Sequence, residues 1–304
     1  MAVEPPGEAR SATGNVLALT AIAMLAFAAN SLLCRMALGQ RMMDAASFAT
    51  VRVVAGAVTL GLIVLPRWRN RGWGSPDWRS AAMLFVYVAG FSFAYLTLSA
   101  GTGALILFSA VQLTMFVVAL RGGEHFPWIS WVGLTLAVAG LVYLVSPGLA
   151  APDPLGAVLM AVAGVAWGVY SLRGRGAPDP LESTASNFIC AVPMVIVVSV
   201  LSIRELHVSA TGLMLAVASG AVTSGLGYVV WYAALRRLPR TRAATVQLSV
   251  PVIAALGGVA LLAEPVTLRL VLASVATLGG VWIVLRQRSH AVPGAAGEAS
   301  VRAP

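Results

Sequence analysis

Ten apolar runs of about 18 to 26 residues, joined by short connections, fill almost the whole chain: 15–38, 45–65, 80–100, 103–120, 128–146, 155–172, 183–203, 210–235, 243–263 and 268–285. A helix of that length crosses a roughly 30 Å hydrocarbon core. Lipid offers no partner to a free backbone N–H or C=O, and the runs are too long for barrel strands, so each is expected to be a transmembrane helix. Of the 304 residues, 59% are hydrophobic and 10% charged, against about a quarter charged in soluble domains, which excludes a water-soluble globule. The first run exceeds a signal-peptide core and carries Asn30 and Arg35 behind Glu4 and Glu8, so it is expected to stay in place as the first helix. The longest connection, 66–79, leaves no room for a separate soluble domain. The flanks 1–14 and 287–304, rich in Ala, Pro and Gly, are expected to be disordered tails.

The net charge of +9 comes from twenty arginines, with no lysine anywhere. Without lysine there is neither a phosphate-cradling P-loop nor a Schiff base, which excludes an ATPase subunit and a retinal-type pump. The arginines cluster between apolar runs, so the basicity reads as membrane topology rather than as a nucleic-acid footprint. Sorted by alternate connections, with Arg52 set aside inside its run, fifteen fall on one side (Arg10, Arg67, Arg69, Arg71, Arg79, Arg121, Arg173, Arg175, Arg236, Arg237, Arg240, Arg242, Arg286, Arg288, Arg302). Four fall on the other (Arg35, Arg41, Arg204, Arg269). Under the positive-inside rule both termini are expected in the cytoplasm. Cys34 and Cys190 lie deep in apolar runs; neither a disulfide framework nor a metal site is expected, and no cofactor.

The halves resemble each other at an offset of 140. Phe27, Asn30, Ser31, Leu32 and Arg35 fall opposite Trp167, Tyr170, Ser171, Leu172 and Arg175; Phe48 falls opposite Phe188, Glu124 opposite Glu264, and Gly140 opposite Gly280. Gln112 meets Gln247 only across a gap of about five residues, and Tyr95 meets Tyr232 at an offset of 137. Repeats of five helices each, 15–147 and 154–286, enter the membrane from opposite sides, an odd number per repeat making them inverted. The expected fold is all-α and integral to the membrane: ten helices as two inverted five-helix repeats, the plan that makes inward-open and outward-open states interchangeable.

With Phe48-x-x-x-Arg52 in the second run, and Gln247-x-x-x-Pro251, Ala263-Glu264-Pro265 and Gly279-Gly280-Val281 in the second half, the chain resembles the drug/metabolite transporter superfamily with tandem EamA-type repeats. The resemblance covers about 15–288, and among members it is similar to bacterial YddG-type exporters of aromatic amino acids. It implies a carrier that exports amino acids or related metabolites and needs no cofactor. Where the family has a proline four residues after the first-half glutamine, this chain has Phe116, so a kink in the fourth helix is not carried over.

Arg52 sits about seven residues, ~10 Å, inside its run, deep enough that insertion costs a few kcal/mol unless it faces a cavity or a partner. Its repeat mate is Val192, so symmetry does not require an arginine there. It is a candidate to grip a substrate carboxylate; the alternative is a guanidinium that snorkels outward or binds helix carbonyls. Tyr87, Phe91 and Tyr95 share one helical face, as do Tyr228, Trp231 and Tyr232. Both stripes suit a cavity for an aromatic or apolar body, or plain helix packing, or an interfacial belt. Asn30, Gln112, Tyr170 and Gln247 are mid-span polar groups able to bind a solute or to bridge helices, and Phe27 and Trp167 read as cavity or gate residues. Pro193 and Pro251 are hinge candidates.

No Asp, Glu or His lies near the middle of a run, which disfavours obligate proton coupling. Asp44, Asp77, Asp153 and Asp179 are scattered singly among connections, so no catalytic set is visible and an integral-membrane enzyme is disfavoured. A channel or lipid scramblase stays open as an alternative, because lining residues do not reveal whether two gates open together. The partners expected are a small-molecule substrate and the bilayer, with room for a homodimer.

Overall fold

The computed structural model describes residues 6–73, 76–148, 150–174, 177–236, 238 and 240–290. Its elements are α1 (Pro6–Gly39), α2 (Ala45–Arg71), α3 (Trp78–Ala94), α4 (Ala100–Arg121), α5 (Trp128–Val145), α6 (Pro154–Gly174), α7 (Pro180–Leu201), α8 (Ala210–Val217), α9 (Gly227–Leu235), α10 (Arg240–Val246), α11 (Ser249–Leu262) and α12 (Leu268–His290). Among the described residues there is one isolated antiparallel bridge, Met43 to Val208, and no named strand. Polar caps start the helices: Asp44, Ser99 and Ser209 each accept a hydrogen bond from the backbone N–H three residues on, and Asp77 and Asp179 from those two and three residues on.

Among the described residues nine helices are long and apolar enough to cross a membrane. The third run is shorter than expected: α3 has 17 residues, and Tyr95 to Leu98 fold into a turn that hands over to the Ser99 cap of α4. The eighth run crosses continuously, but Ala218–Leu226 between α8 and α9 is wound as a π-helix. The ninth divides at Gln247 and Leu248 into α10 and α11, with Pro251 in the first turn of α11. Helix α4, with Phe116 where α11 has its proline, is unbroken. Helix α2 continues through Pro66 to Arg71, so the connection after it is shorter than 66–79. Part of the segment 1–14 expected as a tail begins α1 at Pro6, and α12 extends to His290; residues 1–5 and 291–304 lie outside the described residues.

The exterior is apolar as well as the core, unlike that of a water-soluble protein. Leu201 is 79% exposed and Leu17, Leu155 and Leu268 project outward too, whereas Arg52, Asn30, Ser92 and Ser219 are buried. Lipid solvates the apolar exterior, and the polar groups bond one another inside. Helices α2 and α7 pack together, as do α5 and α12, and α4 and α11. Helix α6 lies against α3 and α4, while α1 lies against the α8–α9 run and α11.

The α5–α12 crossing is close enough for backbones to touch. A Cβ added at Gly140 would meet Thr277 Oγ1 at 2.5 Å and Ala273 O at 3.0 Å; one added at Gly280 would meet Ala137 N at 2.6 Å and crowd Gly133 O. Small residues permit this contact, and dispersion across it holds the helices. Gly280→Val is expected to part the two helices and destabilise the protein by about 1–3 kcal/mol, read as a lower melting temperature in detergent.

The two ends of the bundle are tied differently. At the first, Arg35 Nε bonds Glu264 Oε1 at 2.9 Å, Glu264 Oε2 accepts Ala100 N–H at 2.8 Å, and Arg35 Nη1 reaches the carbonyls of Tyr95 and Leu96. Left-handed Ala263 (φ 51°) closes α11 and turns the chain there. Asp44 accepts His207 N–H at the same end. At the other end Arg67 pairs with Asp179 at 2.9 Å, and Arg173 Nη2 with both oxygens of Asp77 at 3.0 Å.

Burial pushes the Asp77 carboxyl up, but bonds from Ser80 and the Arg173 guanidinium outweigh it and hold it at about 2, below the ordinary 3.8. A depressed carboxyl stabilises the fold above its unfolded pKa and loses that contribution as pH falls through its folded value. The melting difference between the parent protein and Asp77→Asn is therefore expected to be constant from pH 8 to 5 and to close only between about pH 4 and pH 2.

Candidate functional site

Arg52 lies seven residues into α2 and is 1% exposed, which rules out snorkelling. Nη2 donates to Tyr87 Oη at 2.9 Å and Nε to Ser224 Oγ at 3.3 Å, while Nη1 has no hydrogen-bond partner. The guanidinium carbon lies 4.8 Å from the ring centre of Phe91 and 5.2 Å from that of Tyr87. Faces of this kind return about 2 kcal/mol to a desolvated cation, less than the several kcal/mol of its desolvation. An anion at Nη1 would supply what the protein does not.

Around Arg52 the hydrogen bonds form a closed circuit. Ser224 and Tyr87 hold the guanidinium; Asn30 Nδ2 reaches Tyr87 Oη at 3.5 Å; Asn30 Oδ1 accepts Ser219 Oγ at 2.7 Å and Thr223 Oγ1 at 3.2 Å. The circuit starts and ends on the π-wound stretch, whose neighbouring residues Thr223 and Ser224 serve α1 and α2 respectively. Such windings often mark functional positions. Gly220 brings the stretch against α2, where an added Cβ would collide with Arg52 O.

A cavity opens beside this circuit. It is lined by Arg52 and Asn30, by the rings of Phe27, Tyr87, Phe91, Phe108, Trp167 and Tyr228, and by Ser31, Leu107, Thr223 and Ser224. Trp167 stacks on Tyr228 at 5.4 Å and tilts against Tyr87 at 4.8 Å, and Phe27 stands 6.1 Å from Tyr228. Only about 20 Å³ is open to the centres of water-sized occupants, room for a water or two. A larger solute needs the helices to move apart.

Of the residues singled out from the sequence, Phe27, Asn30, Arg52, Tyr87, Phe91, Trp167 and Tyr228 meet at this cavity. The others lie outside its lining. Tyr95 donates to Ala100 O; Tyr170 and Tyr232 both bond Thr184; Trp231 packs its ring 5.8 Å from Phe27. Gln112 is buried in α4 with Nε2 unpartnered, and Gln247 sits half-buried at the break between α10 and α11. Pro193 lies inside continuous α7. Sequence reasoning missed Ser31, Leu107, Phe108, Thr223 and Ser224. The signal for Thr223 and Ser224 was a run of small hydroxyls in an apolar span, which also describes ordinary helix packing.

The apolar, lipid-facing helices define a multi-pass membrane protein with a polar circuit and an aromatic cavity inside it. Residues 154–286 match the EamA-like transporter family. An uncharacterized protein of Pseudomonas aeruginosa is 47% identical over 272 residues, 90% of this chain and 95% of that protein. An uncharacterized transporter of Archaeoglobus fulgidus is 29% identical over 195 residues, covering 63% of this chain and 70% of that one. One solved crystal structure superposes with a TM-score of 0.64 at 20% identity, over 91% of this chain and 99% of its own, a likeness of fold. The chain belongs to the EamA-like transporter family and is a multi-pass membrane protein of the drug/metabolite transporter superfamily, a class that transports small molecules and is not enzymatic.

Proposed function

We propose that this chain is a secondary carrier in a bacterial cytoplasmic membrane that exports small carboxylate-bearing metabolites, amino acids with aromatic or apolar side chains among them, by alternating access. The observation that carries the reading is Arg52: a buried guanidinium with Nη1 unpartnered, beside a cavity walled by aromatic rings. Such a group accepts a carboxylate through charge-assisted bonds, and the rings accept the body. Both termini are cytoplasmic in this reading, with the Asp77 end inward and the Glu264 end outward.

The halves 15–147 and 154–286 act as inverted repeats. Two packing features support this. Exchanging the halves carries Gly140 with Thr277 and Ala273 onto Gly280 with Ala137 and Gly133, each residue shifted by 140. The same exchange carries the α3–α6 contact onto that of the α8–α9 run with α1. Two equivalent arrangements then exist, one open to each side.

The test is counterflow with purified protein in liposomes, using labelled phenylalanine against a panel of amino acids and deaminated analogues. Saturable, trans-stimulated uptake is expected. Flux without trans-stimulation would make the chain a channel, and no exchange of any carboxylate would defeat the substrate reading.

A further inference from the structure

The proposed carboxylate grip leaves open which carboxylates fit, and the charge balance of the cavity answers that. Its lining carries one fixed positive charge, Arg52, and among the described residues lining it there is no Asp or Glu. A solute that enters is removed from water into a medium where net charge is costly. A monoanion brings the sum of site and solute to zero. A zwitterion leaves it at plus one and holds a second cationic group near the guanidinium, where like charges repel more strongly than in water.

The acceptors that flank the guanidinium, where the ammonium of a zwitterion held by its carboxylate would lie, are already engaged. Asn30 Oδ1 takes two hydrogen bonds, Ser224 Oγ accepts from Arg52 Nε, and Tyr87 Oη accepts from both Arg52 and Asn30. The rings of Tyr87 and Phe91 already face the guanidinium. On the solute side, the group left wanting a partner is a donor, Nη1 of Arg52, and a donor on a cation calls for an anionic acceptor.

We propose that the cavity selects by net charge, taking monoanionic carboxylates with an aromatic or branched apolar body in preference to zwitterionic amino acids with the same body. This rests on the carboxylate reading of Arg52 and sharpens it.

The test is isothermal titration calorimetry on the full-length protein in detergent at pH 7, with three ligands that share a phenyl ring: 3-phenylpropionate, phenylalanine and phenethylamine. Binding of the anion at least about tenfold tighter than of the zwitterion, and no binding of the amine, is the expected result. Phenylalanine binding as tightly as phenylpropionate, or more tightly, overturns selection by net charge and leaves the carboxylate grip standing. Tightest binding by the amine, or no binding by any of the three, overturns both. The comparison needs no variant, so a misfolded mutant does not decide it. Arg52→Lys, which keeps the charge, is expected to keep the order of the ligands, and Arg52→Gln to abolish it; an unchanged order in Arg52→Gln overturns both readings.

Discussion

Arg52→Met is expected to give a protein that melts close to its parent and no longer transports. Methionine roughly fills the volume of the arginine stem without a charge to desolvate. Relief of the guanidinium's desolvation, several kcal/mol, offsets the loss of its bonds to Tyr87 and Ser224, about 1.5–3 kcal/mol each. The loss on the other side is the charge-assisted grip on the solute, about 1.5–3 kcal/mol, or roughly 10- to 100-fold in affinity. Melting in detergent together with counterflow in liposomes reads both effects on one preparation. A stable variant that transports at the parental rate would remove Arg52 from the binding machinery.

Glu264→Ala is expected to loosen the end of the bundle where α1, the α3–α4 turn and the close of α11 converge. The carboxylate takes Arg35 through one oxygen and Ala100 N–H through the other, and the pair is largely buried, at 23% and 13% side-chain exposure. Its removal strips two charge-assisted bonds from that end, about 3 kcal/mol together or roughly two decades in the opening equilibrium. Ser31→Cys, on the cavity wall, reports the change in a background of Cys34→Ser and Cys190→Ser. A membrane-impermeant thiol reagent added from the Glu264 side should modify it at least about tenfold faster in Glu264→Ala than in the parent. Arg35→Ala should act in the same direction, and the double variant should fall short of the sum of the two by the energy of the shared ion pair. Equal modification rates in all of them would mean that this ion pair does not hold that end of the bundle closed.

The spans were legible in the sequence because lipid eliminates every other use for twenty consecutive apolar residues. Their internal breaks were less so. Tyr95 to Leu98 is as apolar as the helix it ends, and only Ser99, as a cap, hints that a new helix begins. Nothing in the composition of Ala218–Leu226 distinguishes π winding from α winding. At the site, polar groups that are costly in lipid led to Arg52 and Asn30, an aromatic stripe on one helical face led to Tyr87, and pairing with Phe27 across the halves led to Trp167. The same logic also drew in Tyr95, Tyr170 and Tyr232, since a helical face is wide enough to include residues that turn aside to Ala100 or Thr184. Gln112 and Gln247 were suggested by their pairing across the halves, which speaks to ancestry of position more than to what a side chain faces.

The closed circuit from Ser224 through Arg52, Tyr87 and Asn30 back to Ser219 stitches α1, α2 and α3, all in the first half of the chain, to a single stretch of the second. In the proposed carrier, a solute bound at the guanidinium would pull on the seam between the two halves. On that proposal recognition and rearrangement would share the same handful of atoms, and a substitution that weakens the grip on a solute would also change how readily the halves slide past each other.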